Sequence, residues 1–157
     1  MSLERIIDMA SRAGIPRSLV KEAAKRGELA QLLESAYRDA MVFRNAVARV
    51  YQRLRTIYTA IAASSTRIPP PPPIAGKRGD AAARHLWAYI QSLAASRDAS
   101  VVAGVMQAMM SIAAVAGMIA GTKGYNPLEI DVSAIRRCIR YLRDHSRSRS
   151  AEALVPN

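Results

Sequence analysis

The sequence is poor in the residues that build reactive centres. Its 157 residues hold one cysteine, Cys138, which rules out an intrachain disulfide and a cysteine-built zinc site and makes Cys138 a core candidate. Histidine occurs only at His85 and His145, too few for an imidazole metal triad, and no His-Glu-x-x-His is present. Gly76-Lys77-Arg78-Gly79 lacks both the leading glycine and the hydroxyl that a phosphate loop requires. The 12 acidic residues are scattered among 23 basic ones, with no carboxylate cluster to hold a catalytic metal. Glu129 and Asp131 stand close together but precede a helix, where capping explains them. These absences argue against an enzyme, a metal and a cofactor. The amino-terminal MSLERIIDM has early acids and no long apolar core, so it does not read as a secretory signal, and synthesis in a cytoplasm is expected.

Three further absences are local. No glycine or proline interrupts Glu28 to Ser65, no acid occurs between Asp39 and Asp80, and no charge occurs between Asp98 and Lys123. The first permits one very long helix. The second leaves the arginines of that helix without a local counter-charge, and the third sets a neutral stretch inside a cationic chain.

What is abundant is arginine: 19 against 4 lysines, in a chain of formal charge +11 and pI about 10.7. Such a balance calls for a polyanionic partner. Arginine's planar fork holds phosphate at fixed, dehydrated contacts better than lysine does, which favours nucleic acid, although charge alone also fits a membrane surface. Few cysteines, asparagines and glutamines, with many arginines and alanines, are compatible with a thermophilic source.

Helical periodicity runs along most of the chain. Leu3 to Ala13, capped by Ser2 and stopped by Gly14, forms a short amphipathic helix, and after Ile15-Pro16 a second starts at Arg17 and ends at Gly27. Residues 1–27 therefore read as a helix-turn-helix arm. Its second helix carries Arg17, Lys21, Lys25 and Arg26 but no asparagine or glutamine to read adenine, so phosphate contact, with Arg12 beside it, is the expected use rather than major-groove readout. In Glu28 to Ser65, Leu29, Leu33, Ala36, Ala40, Val47, Val50, Tyr51, Leu54, Tyr58 and Ile61 recur at steps of three, four and seven and share one face. Arg38, Arg44, Arg49, Arg53 and Arg55 lie off that stripe, on a rod of roughly 55 Å.

The linker, residues 66–79, contains five consecutive prolines, a polyproline II spacer of roughly 15 Å that lets the chain reverse. Arg67, Pro70 and Pro73 also fit the ligand pattern of proline-binding domains. Lys77 and Arg78 add two phosphate-capable charges. Asp80 is expected to cap the next helix, AAARHLWAYIQSLAAS, with Leu86, Tyr89, Ile90 and Leu93 at core spacing and Trp87 filling a packing contact. The uncharged run after Asp98 is long enough to cross a bilayer, which needs about 20 apolar residues. Its alanine, glycine and methionine content, with Gln107 and Ser111 inside, points instead to a helix buried on all sides in a bundle or between subunits, and Gly117 and Gly121 permit close helix approach. AIRRCIRYLRDH forms the last helix, with Ile135, Cys138, Ile139 and Leu142 inward and Arg136, Arg137, Arg140 and Arg143 outward as a second basic ridge. The bundle thus spans 28–146, and 147–157 reads as a polar, flexible tail.

This order of parts resembles the major coat proteins of the filamentous and rod-shaped viruses of hyperthermophilic archaea: a basic helix-turn-helix, a long arginine-bearing helix, a turn, then further helices of which one is wholly apolar. The resemblance implies an all-α fold and a structural nucleocapsid protein. Such a protein coats linear double-stranded DNA without sequence preference, holds it in the A-form and assembles into a helical filament in the virion. It also implies further copies of the chain as partners and allows a paralogous coat protein and a lipid envelope. Arg38, Arg44, Arg49, Arg53 and Arg55 are then the expected phosphate contacts, supported by Arg12, Arg17, Lys21, Lys25 and Arg26, with Lys77 and Arg78 beside them. Two other readings fit the same chain: a small nucleic-acid-binding subunit of a CRISPR-type effector complex, and a small membrane protein using the 99–121 helix.

Overall fold

The computed structural model describes residues 3–63 and 68–154, with side chains up to residue 145, and every regular element in it is a helix. Six α-helices follow in order: α1 (Leu3–Arg12), α2 (Arg17–Lys25), α3 (Leu29–Ala62), α4 (Gly79–Ser96), α5 (Ala103–Lys123) and α6 (Val132–Leu154). Short 3-10 turns lie at Ala99–Val101 and Pro127–Glu129. The expected all-α architecture with one dominant helix is what forms. At 34 residues, α3 extends about 50 Å. Ser2, Ser65 and Arg67, named in the sequence reading, lie outside the described residues.

α3 is the spine. α2, α4, α5 and α6 pack on it, and α1 closes against α2 and α6. The apolar stripe of α3 is divided between two cores. Its first half, Leu29, Leu33, Ala36 and Ala40, meets Ile6, Ala10, Ile15 and Val20 with Ile135 and Cys138 of α6. Its second half, Phe43, Val47, Val50 and Leu54, meets Leu86, Ile90 and Leu93 of α4 with Val105 and Met109 of α5. Phe43 belongs to the stripe by spacing, three residues after Ala40 and four before Val47, although the sequence reading left it out. α1 and α2 do form a helix-turn-helix, but they are folded into the first core rather than standing off as an arm: Ile6, Ala10, Ala13 and Val20 have no exposed surface. The turn between them is locked to the far end of the chain. Asp131 N–H donates to the Ala13 carbonyl (2.8 Å), and an Arg78 guanidinium nitrogen donates to the Arg12 carbonyl (3.1 Å), satisfying an acceptor left open at the end of α1.

Helix ends follow side-chain chemistry. Asp131 caps α6 by accepting from Ala134 N–H (3.1 Å), Asn126 accepts from Leu128 N–H (3.0 Å), and Gly124, at φ 84°, ends α5 in the left-handed region. Asp80 does not cap α4. The helix starts at Gly79, two residues earlier, after Arg78, and Asp80 sits in the first turn, accepting from Ala81 N–H (2.8 Å), where its charge still opposes the positive helix end. With neither glycine nor proline to break it, α6 continues through Leu154, into the segment read as a tail.

The proline run is strapped to the bundle. Pro71 is buried, Ile68 and Ile74 pack into the second core, and Tyr89 donates from its hydroxyl to the Pro69 carbonyl (2.8 Å). Tyr89→Phe should cost about 1 kcal/mol, as a drop in the urea midpoint without a change in slope. Cys138 is fully buried beside the Ile6 carbonyl, and burial raises its thiol pKa to about 11. It should therefore resist alkylation at pH 8 in the native protein and react at the unmodified-thiol rate in denaturant.

Within one chain α5 is not buried on all sides, which corrects the expectation of burial inside the bundle and leaves that of burial between subunits. Only Val105, Met109 and Ala116 are buried, whereas Met110 (60% exposed), Val115 (47%) and Met118 (69%) face outward. The reason is geometric: α3 and α4 cover one flank of α5, and among the described residues no helix is positioned over the other.

Candidate nucleic-acid interface

The five arginines of α3 are all exposed, and none makes an ion pair among the described residues. The helix does not put them on one face. At about 100° per residue, residues eleven apart return to the same side, so Arg38 and Arg49 share an outward line about 16 Å apart, while Arg44 and Arg55 share another line on the flank facing α4. Arg53 turns toward α5, where its guanidinium lies over Gly104 so closely that a Cβ there would collide with it. Asn45 and Gln52 fall on the outward line with Arg38 and Arg49 and add neutral donors that sequence reasoning did not single out.

The strongest concentration of charge lies where α3 meets α6. A cleft of about 330 Å³ is lined by Arg38, Arg136, Arg140 and Arg143, with Tyr37, Ile139 and one carboxylate, Glu34. The α6 arginines follow an i, i+4, i+7 spacing and so form one ridge, about 10 Å long. Arg136 is held in place: it donates to the Tyr37 hydroxyl (2.6 Å), and its guanidinium carbon lies 5.6 Å from the Tyr37 ring centroid. Four guanidiniums facing one carboxylate leave a net excess of three positive charges. Sequence reasoning identified the α6 ridge but not its partnership with Arg38, because only packing fixes which side of α6 meets α3. On the opposite flank of α6, Arg5 of α1 sits 5.0 Å from the centre of the Tyr141 ring.

A second groove, about 280 Å³, opens between α3 and the start of α4 and is lined by Arg44, Lys77, Arg78 and Ser133. Two of its cations are partly committed: Lys77 Nζ donates to His85 Nδ1 (2.7 Å), and Arg78 reaches the Arg12 carbonyl.

The cations of α1 and α2 divide by partner. Arg17 bonds Glu4 (2.6 Å) and Asp8 (2.5 Å), clasping the two helices. The hydrogen bond from Arg17 lowers the Asp8 pKa below its ordinary value, and the same bond raises that of Arg17. The clasp is therefore complete at neutral pH and is lost as acid titrates Asp8 through its depressed value. Arg26 pairs with Glu22 (3.2 Å), whereas Arg12, Lys21 and Lys25 are exposed and make no ion pair among the described residues. Of the two acids within α3, Asp39 is engaged elsewhere. Asp39 accepts from Lys123 Nζ (2.8 Å) and the Tyr125 hydroxyl (2.5 Å), joining α3 to the end of α5; burial first, then Asp39, pushes the Tyr125 pKa up. Among the described residues no group of three or more His, Cys, Asp or Glu side chains converges to hold a metal.

Compared with known proteins, the chain matches no family model, no curated protein and no solved structure.

Proposed function

We propose that this protein coats double-stranded DNA through arginine–phosphate contacts, without reading its sequence, and does so as the repeating subunit of a helical filament. The observation that carries this reading is the α3–α6 cleft, where Arg38, Arg136, Arg140 and Arg143 stand against one carboxylate and a tyrosine orients one guanidinium. A ridge of unpaired guanidiniums suits a line of phosphates and supplies affinity and register, not base discrimination. The outward line of Arg38, Asn45, Arg49 and Gln52 extends the same surface along α3. The resemblance to coat proteins of archaeal filamentous viruses supplies the assembly: a virion filament around dehydrated, A-form duplex, made in the host cytoplasm.

The membrane-spanning reading has one observation in its favour, the length and apolarity of α5. Against it, one flank of α5 is already packed on α3 and α4, whose exposed faces carry arginines, and crossing a bilayer would strip those contacts.

Electron microscopy of the protein with linear duplex, together with binding titrations, tests the proposal. Regular filaments should form, unrelated duplexes should bind equally, and affinity should fall roughly 10³-fold between about 50 and 200 mM salt. Preference for single strands would favour the effector-subunit reading. No filament and no salt dependence would remove the coating function.

A further inference from the structure

The exposed face of α5 is neutral in a chain whose other surfaces are cationic. No charged residue lies between Asp98 and Lys123, and Lys123 is itself paired with Asp39. Two copies of a +11 protein repel over most approaches, and this face is where they can meet with least Coulomb cost. Its residue order is also self-complementary. Gln107, Met110, Ser111, Ala114, Gly117, Met118 and Gly121 are all exposed and recur at steps of three and four, so they form one stripe. Reflected about Ala114, that stripe sets the flexible side chains of Met110 and Met118 against each other, Ser111 against Gly117 and Gln107 against Gly121, so the two polar residues each oppose a glycine. An added Cβ at Gly117 or Gly121 would meet nothing within 4 Å, so none of the described residues occupies the space beside them. Exposed Val42 widens the patch: it precedes Arg53 by eleven residues and therefore shares the flank of α3 that borders α5.

We propose that a second copy of the chain covers this face, with the two α5 helices antiparallel about a two-fold axis through Ala114. Antiparallel pairing also sets the helix dipoles in opposition, and an isologous contact uses the same patch on both copies. The face is about 30 Å long and about 10 Å wide, less than the roughly 800 Å² per partner of a standard stable interface. Pairing is accordingly weak between free chains and becomes effective when a duplex holds copies side by side. This deepens the coating function and rests on it for its purpose, though not for its geometry.

Cysteine crosslinking of the full chain, without DNA and at high protein concentration and salt, tests the geometry. Cys138 is buried and does not interfere. Ala114→Cys should form a covalent dimer under mild oxidation, because an axial residue meets its own copy within disulfide reach, about 5.5–6 Å between Cα atoms. Met110→Cys should not crosslink alone but should do so when mixed with Met118→Cys. Crosslinking of Met110→Cys with itself would mean parallel helices and overturn the arrangement, and no crosslink at any of the three positions would overturn the pairing. Ala114→Arg, at an exposed position, should abolish the weak dimer and bring the Hill coefficient for duplex binding down to about 1 while leaving single-copy affinity unchanged. Sedimentation with neutral phosphatidylcholine vesicles, lost in Ala114→Arg and without crosslinks, would assign the face to lipid and overturn the proposal. Crosslinks in a protein that ignores duplex would sustain the pairing and remove the coating function.

Discussion

Replacing Arg38, Arg140 and Arg143 together with glutamine is expected to weaken duplex binding on the order of 100-fold and to lower the slope of log affinity against log salt by about 2.7, since each lost phosphate contact removes about 0.9. The three side chains line one cleft and make no ion pair among the described residues, so their charge has no internal use to mask the loss. The fold should survive, because all three are exposed. Arg17→Gln is the informative contrast. Its guanidinium is already held by Glu4 and Asp8, so the salt slope should barely move while α1 loosens from α2. Fluorescence titrations at several salt concentrations check both outcomes. An unchanged slope in the triple variant would remove the α3–α6 cleft from the interface.

The largest stability effect should come from Gly14→Ala. Gly14 has φ 113°, where an L side chain is strained, and its added Cβ would run into the Glu129 carbonyl oxygen and crowd Ile130 Cα. Both groups are backbone, pinned by the Asp131-to-Ala13 hydrogen bond, so no flexible side chain can yield. Left-handed strain of about 1–2 kcal/mol plus this overlap gives a loss on the order of 3 kcal/mol. A chain of this size should then melt roughly 10 °C lower, which circular dichroism reads directly. Gly117→Ala makes the opposite case. It lies inside α5 with open space around it, so alanine should stabilise the isolated chain by up to about 1 kcal/mol through helix propensity.

Local rules in the sequence were enough for most of the helices, though not for the start of α4 or the length of α6. Periodicity gave α3 to within a few residues, Gly14 and Gly27 marked ends that do adopt positive φ, and Asp131 capped where expected. Properties that depend on neighbours were not legible. Nothing in residues 1–27 states that Ile6 and Ala10 will meet Cys138, since that contact joins opposite ends of the chain. An uncharged helix looks the same in sequence whether covered on two flanks or one, so the exposure of Met110 and Met118 emerged only from the packing. The interface was half legible: charge counts identified the arginines, but Arg17 and Arg26 proved to be neutralised locally, while Arg136, Arg140 and Arg143 proved to share a cleft with Arg38.

The division of α3 between two cores bears on how the chain melts. Leu29 to Ala40 and Phe43 to Leu54 are continuous turns of one helix, and Ile119 touches both clusters. Each cluster is modest, yet neither can come apart while leaving its half of α3 in place, because a helix stripped of its apolar partner is marginal in water. The spine therefore makes one cooperative folding unit out of two small cores, so that heat or denaturant should dissolve both in a single transition.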